Sequence, residues 1–239
     1  MGTDAEMKKC TVKLASNSSG LSINKDYIDT GASICIQSGG NYDAKVFPEP
    51  TTEPLKSDCI LLGLGTLYKS WNSFVGRTLL INPTEKQKLT YKKILALAKV
   101  IQQNLRPGVA IQSIYKKAAE FVGEHLPGVE VPKSFGFGVG TYLYEPLLDI
   151  NENNSRVIET GHSFLISCNF PNLEYETKKE TKKYAVQIID TVIVSDKGQE
   201  VLTSNASTSI TDISYEFDEE DEKKESKKNP SNFSFTQIS

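Results

Sequence analysis

Pro132-Lys133-Ser134-Phe135-Gly136-Phe137-Gly138-Val139-Gly140 divides the 239-residue chain into a helical stretch before it and a strand-rich stretch after it. Its repeated glycines imply extended backbone, and glycine within strands marks bulges or close approach of two backbones. Upstream, Ile111, Ile114, Tyr115, Ala118, Val122 and His125 share one helical face that ends at Leu126-Pro127-Gly128. His125 reads as a helix-end cation. Before it, Tyr91, Ile94, Leu95, Ala98, Ile101 and Leu105 recur at three- and four-residue steps until Arg106-Pro107-Gly108 breaks the period. Thr84-x-x-Gln87 opens that helix as a capping box, which satisfies amides that have no partner in the first turn. Further back, Ile60-Leu61-Leu62 and Arg77 to Ile81 read as two antiparallel strands joined through a turn near Asn72.

Downstream, Ser163 to Phe170 and Tyr184 to Val194 are rich in β-branched and aromatic residues, and Ser195-Asp196-Lys197-Gly198 is a turn before Gln199 to Thr203. Strands, two helices, then strands again do not make a βαβα alternation. The order predicts an α+β fold with helices segregated on one face of an antiparallel sheet. Residues 1–33 form a polar N-terminal segment, in part appended sequence or a leading helix, 34–215 form the domain, and 216–239 form an acidic disordered tail or linker.

Hydrophobic residues make up 38% and charged residues 24%, a globular balance, and no apolar run approaches the roughly 18 residues of a membrane span. Of 27 basic and 30 acidic residues, Glu216 to Lys228 holds four and seven, so the rest balances at 23 of each. Such a body has no broad basic face to release counterions from a nucleic acid. Cys10, Cys35, Cys59 and Cys168 form no C-x-x-C pair, and reduced thiols are expected. With His125 and His162 the only histidines, no zinc site of ordinary spacing can be assembled. A nucleophilic pair of His162 and Cys168 would require the two to meet in space; a packed thiol beside a partly exposed imidazole is the simpler expectation. Gly63-Leu64-Gly65 and Gly136-x-Gly138-x-Gly140 suggest phosphate loops. The third glycine of that fingerprint falls at Tyr68 or Thr141, however, and neither stretch opens a helix.

Gly65-x-x-Tyr68-Lys69-Ser70-Trp71 with Arg77-Thr78, then Phe135 to Gly140, then Gly198-x-x-x-Leu202-Thr203 occur in the order seen in pita-bread metallopeptidases, which include methionine aminopeptidase, aminopeptidase P and prolidase. The resemblance covers roughly residues 34–215. It implies a pita-bread (creatinase/aminopeptidase-like) α+β fold with a curved antiparallel sheet. Those enzymes hold two metal ions with two Asp, one His and two Glu, which polarise water and the substrate carbonyl. Carried onto this sequence, the resemblance puts Gly63 and Phe74 at the Asp positions, Phe137 at the His position, and Ser167 and Ile189 at the Glu positions. No metal or other cofactor is therefore expected. Phe74 and Phe137 are expected to fill the vacated space. Asp190 neighbours Ile189 but points to the other face of its strand. Tyr144 stands where the enzymes have a second, substrate-facing histidine.

Ile36-Gln37-Ser38-Gly39-Gly40-x-Tyr42-Asp43, Tyr68-Lys69-Ser70 with Asn72-Ser73 and Arg77-Thr78, and Pro132 to Gly138 resemble a narrower group, the large subunits of FACT-type histone chaperones. Their N-terminal region carries a catalytically inert pita-bread lobe. The chain departs from them by lacking the preceding smaller lobe and the later dimerisation, middle and acidic C-terminal portions. The resemblance implies a nuclear, non-enzymatic histone- and peptide-binding module acting in nucleosome reorganisation during transcription and replication. Core histones would be its partners, with the smaller FACT subunit bound through regions outside this chain and no membrane. The peptide-contacting candidates are Tyr68, Arg77, Tyr142, Tyr144 and Glu145. An RNA- or protein-binding adaptor is the alternative, and an active metallo-aminopeptidase ranks last.

Overall fold

A computed structural model describes residues 24–29, 34–40, 42–43, 45–47, 58–177 and 180–217. Two short strands, β1 (Ile28–Asp29) and β2 (Cys35–Ser38), precede the long pair β3 (Cys59–Tyr68) and β4 (Trp71–Ile81). Helices α1 (Glu85–Asn104) and α2 (Ile111–His125) follow, then β5 (Gly136–Gly138), β6 (Ser163–Glu176), β7 (Thr181–Ser195) and β8 (Gly198–Val201), a single turn α3 (Ile210–Ile213) and β9 (Ser214–Tyr215). The strands join one sheet in the order β1-β3-β4-β7-β6-β5, with β2 also on β3, β8 on β7 and β9 on β4. All pairings are antiparallel except β4 with β9. The α+β order read from the sequence is the order found.

The capping box forms as the sequence requires: the Thr84 hydroxyl accepts from Gln87 N at 3.3 Å and Thr84 N donates to Gln87 Oε1 at 2.9 Å. From that start α1 buries Tyr91, Ile94, Leu97, Ala98 and Ile101 and packs against β6, β7 and α2. Helix α2 buries Ile111, Ile114, Ala118 and Val122. Together with Ile166, Cys168, Ile188 and Val192 these side chains make the main core. Each fully buried Leu or Ile there contributes roughly 1.5–3 kcal/mol. The His125 ring stacks on Phe121 at 4.1 Å at the helix end. Among the described residues no helix is long and apolar enough to cross a membrane.

Three sequence expectations shift. The β3–β4 turn lies at Lys69-Ser70, with Tyr68 opposite Trp71, not near Asn72. Both turn residues have positive φ, 47° and 67°, the handedness that matches the twist of a two-residue hairpin. Asn72 is instead the second residue of β4, where its N–H and its Nδ2 both donate to Gly140 O, at 2.8 and 3.0 Å. The segment expected at 1–33 also adds β1 to the sheet, against Leu67 and Tyr68 of β3; its residues 1–23 lie outside the described residues. The expected tail begins docked: Glu216 pairs with Lys88 at 3.3 Å and Phe217 N donates to Asn82 Oδ1 at 2.8 Å. The acidic run beyond 217 lies outside the described residues.

Gly136 shows why the dividing stretch needs glycine. Its φ is +135°, and a Cβ there would collide with Leu165 O of the neighbouring strand.

Candidate functional site

Strand residues alternate faces, so the side chains opposite the helices form a set of their own. Phe74 from β4, Phe137 from β5, Leu165 from β6 and Ile189 from β7 belong to a second buried cluster, with Val139, closed by Val46, Phe47 and Leu143. Phe47 meets Phe74 edge to face at 5.1 Å and Phe137 at 6.0 Å, and Tyr144 meets Phe137 at 4.8 Å. Phe74 lies over Gly63, and Ser167 sits opposite Ile189 in the β6–β7 ladder. The five positions singled out in the sequence therefore share one region, which aromatic rings fill. Nothing in the sequence pattern marked Phe47 as part of it.

A groove of about 1290 Å³ opens from Phe47, Phe137, Tyr144 and Ser167 toward residues 126–134 and the first turns of α1. Lys45, Lys86, Lys93 and Lys133 line it against Glu130, Asp149 and Glu174. Lys93 is spent on the carbonyl of His125 at 2.8 Å, and Asp149 accepts from Ser134 and Asn151. Its charges nearly cancel, so the groove itself gives a basic segment little attraction.

The other candidates separate. Arg77 is only 8% exposed and lies on the helix side of the sheet. Its Nη2 meets Asp190 Oδ1 at 2.7 Å, Nη1 donates to Ile189 O at 2.8 Å, and Nε donates to Ala206 O at 3.0 Å. Asp190 also accepts from Thr203 Oγ1 at 2.7 Å and Gln102 Nε2 at 3.2 Å. This network ties β4, β7, α1 and the 203–206 loop together and leaves Arg77 no free face for a peptide. Tyr68 lies at the hairpin end, where Lys69 Nζ is 5.4 Å from the Tyr27 ring and 5.7 Å from the Tyr68 ring. Tyr142 is 73% exposed, and Trp71 rests on nearby Gly140. Glu145 is half-buried and caps a short 3-10 turn, Pro146–Leu148, by accepting from Leu147 N at 3.1 Å. Of the five, Tyr144 alone lines the large groove.

Among the described residues the thiols, Cys35, Cys59 and Cys168, are all buried. Burial pushes Cys59 up to about 12 and raises Cys35 and Cys168. Cys168 is sealed in the helix-side core, while His162 Nδ1 accepts from Glu159 N at 3.2 Å. Among the described residues no group of three or more His, Cys, Asp or Glu side chains could hold a metal ion.

The model of metallopeptidase family M24 matches residues 5–196. The chain belongs to metallopeptidase family M24. Its fold is accordingly the α+β pita-bread fold expected from the sequence, a curved antiparallel sheet with helices on one face. The five positions that the sequence resemblance sets at the metal ligands, Gly63, Phe74, Phe137, Ser167 and Ile189, supply one hydroxyl between them, and side chains of these kinds do not fit a dimetal centre. Within this family the chain is 33% identical over 199 residues to the FACT complex subunit spt16 of Emericella nidulans, covering 82% of this chain and 20% of that protein. It is 34% identical to the FACT complex subunit SPT16 of Arabidopsis thaliana over 81% of this chain and 18% of that one. The chain thus spans about a fifth of the length of the curated relatives it matches. Among solved structures, the N-terminal domain of FACT complex subunit SPT16 from chickpea superposes with a TM-score of 0.80 at 29% identity, covering 88% of this chain and 50% of that one. A prolidase from Pyrococcus horikoshii superposes with a TM-score of 0.60 at 25% identity, covering 72% and 47%.

Proposed function

We propose that this chain is a non-enzymatic histone- and peptide-binding module of a FACT-type histone chaperone, acting in the nucleus in nucleosome reorganisation during transcription and replication. One observation supports the reading: Phe74 and Phe137, which the sequence resemblance sets at metal-ligand positions, lie in one buried apolar cluster with Leu165 and Ile189. Dimetal hydrolysis requires anionic oxygens and imidazole to hold two cations and activate water. Recognition needs far less. Exposed strands and aromatics with polar tips hold a polypeptide without any reacting group, and Tyr68, Tyr142 and Tyr144 remain available for that role. The similar proteins named as FACT complex subunits support the assignment to this kind of chaperone.

Core histones are the partners in this reading, and the smaller FACT subunit binds through regions outside this chain. Broad binding to nucleic acid is not expected, because outside Glu216 to Lys228 the chain balances at 23 basic and 23 acidic residues.

The test is a titration of the purified chain with core histone complexes, run beside a variant truncated after Phe217. Micromolar or tighter binding by the chain is expected. Unchanged affinity on truncation assigns the binding to the folded body rather than to the acidic run. Metal analysis and an assay with Xaa-Pro peptides complete the test, since tightly held stoichiometric metal with turnover overturns the proposal.

A further inference from the structure

The outer edge of β6 is open along the large groove. β5 covers β6 only as far as the pair Gly136 and Ile166, with Ser167 N donating to Phe135 O at 2.9 Å just beyond, yet β6 runs on to Glu176. Among the described residues no strand pairs with the edge that remains. Ser167 turns its N–H toward β5, and alternate residues of an antiparallel ladder turn the same way. From Phe170 to Leu173 three steps on β6 match two on β7, Val186 to Tyr184, so the alternation changes parity there. The N–H and C=O of Glu174 and Glu176 therefore face away from β7. Open edge groups of this kind are a template for a further strand.

The groove runs along this edge. Asn172, Leu173 and Glu174 line it, as do Val129, Val131 and Leu89 of α1. Leu89 is 56% exposed, a large apolar side chain largely uncovered. At about 1290 Å³ the groove exceeds the roughly 300–1,000 Å³ of a small-molecule site and suits polypeptide. Its lysines and carboxylates nearly cancel, which favours an uncharged occupant over a basic or an acidic one.

The chain carries such a segment. Beyond Phe217 come the charged run 218–228, then Asn229-Pro230, then residues 231–239 without a charged side chain. From Asn232 to Thr236 polar residues alternate with Phe233 and Phe235, Thr236 and Ile238 are β-branched, and neither glycine nor proline interrupts. That is the pattern of a strand. Position favours it too. Phe217 N is fastened to Asn82 Oδ1 at 2.8 Å and Glu216 to Lys88 at 3.3 Å, at the start of α1, whose Lys86, Leu89, Thr90 and Lys93 line the groove. The fourteen residues 218–231 reach up to about 45–50 Å when extended, ample to pass a helix about 10–12 Å across. A tether of this length puts its end at about millimolar effective concentration.

We propose that residues 231–239 add as a strand to the outer edge of β6 and so occupy the groove of their own chain. Main-chain bonds to Glu174 and Glu176 hold the segment, and Phe233 and Phe235, on one face of the strand, pack on Leu89 and on the apolar wall at Val129 and Val131. The groove is then closed to outside polypeptide until the segment leaves. The proposal needs no histone and stands or falls apart from the reading above.

The experiment follows amide hydrogen exchange of Glu174 and Glu176 in the 239-residue chain by NMR. Both are expected to exchange about tenfold more slowly in the parent than in Phe233→Ser with Phe235→Ser, the protection given by a Kd of about 0.1 mM at an effective concentration of about 1 mM. Leu89→Ser is expected to release the same two amides, and Leu202→Ser, exposed elsewhere, to leave them slow. Amides of Ile188 and Val192 in the core should exchange alike in every variant, which separates release of the edge from loss of the fold. A peptide of residues 229–239 is expected to bind the chain shortened to end at Lys228, and to bind the parent about tenfold more weakly because there the groove is filled. Equal exchange in the parent and the double phenylalanine variant overturns the proposal. So does a peptide that fails to bind the shortened chain at millimolar concentration. If Leu89→Ser leaves both amides slow, the segment lies outside the groove and the proposal fails. Protection that grows with protein concentration alongside a dimer makes a second copy the occupant and overturns it as well.

Discussion

Phe74 lies across Gly63 so closely that a Cβ on that glycine would stand 2.8 Å from the ring's Cζ. The two residues are one arrangement: the ring occupies the room a side chain at 63 would need. Introducing a carboxylate by Gly63→Asp should therefore crowd Phe74 and place an acid against a buried aromatic cluster. Overpacking of this kind costs about 1–3 kcal/mol. Thermal melting should show a fall of about 2–4 °C per kcal/mol for a chain of this size. Adding Phe74→Ala should relieve part of the crowding, and elemental analysis should find no stoichiometric metal in either variant.

Arg77 and Asp190 form the one ion pair among the described residues with both side chains nearly buried. Arg77→Ala leaves the carboxylate with only Thr203 and Gln102, and breaking a buried pair on one side typically costs about 3–5 kcal/mol. Denaturant unfolding should register that loss. Arg77→Lys keeps the charge but lacks the planar fork that reaches Asp190, Ile189 O and Ala206 O together, so it should recover only part of it. If Arg77 contacted a bound peptide instead, Arg77→Lys would alter affinity while leaving the unfolding midpoint in place.

Local physics was legible in the sequence, and long-range pairing was not. The Thr84–Gln87 box and the α1 and α2 periods depend on neighbours three or four residues away, and the structure contains all three. Phe74 and Phe137 were readable as packing because a phenylalanine has little other use at a buried position. Arg77 misled because its motif sits beside Tyr68, while its role is set by Asp190 and Ala206, far along the chain and on the other face of the sheet. Asn72 looked like a turn residue, yet its side chain serves Gly140, a partner no local pattern reveals. Phe47 escaped for the same reason: burial is a property of the assembled sheet.

Phe137 is the centre of the aromatic packing, touched by Phe47 on one side and Tyr144 on the other. Phe137→Ala should open a cavity where the rings meet and cost about 3–5 kcal/mol, measurable as a lowered denaturant midpoint with an unchanged slope. Phe137→Leu, which keeps most of the volume, should lose clearly less. A Phe137→His variant puts an imidazole at this position without the carboxylates a dimetal centre needs, so it should destabilise the domain without generating hydrolysis of Xaa-Pro peptides.

Cys59 links stability to alkaline pH. Its thiol donates to Ala185 O at 3.0 Å within the core, and desolvation raises it from 9.0 to about 12. The folded state therefore holds the proton where the unfolded chain releases it. Stability from this group is complete below about pH 9 and declines as pH climbs toward 12, because there the unfolded state binds fewer protons than the folded one. Cys35 and Cys168 are raised by burial as well and act in the same direction. Unfolding free energies measured at pH 8 and at pH 10.5 should differ in favour of pH 8, and Cys59→Ser should reduce that difference. In a Cys10→Ser background, the three remaining thiols should resist alkylation under native conditions and react together once denaturant crosses the unfolding midpoint. Rapid native labelling of Cys59 at pH 8 would show that the thiolate forms in the folded core, and would remove the basis of the pH dependence.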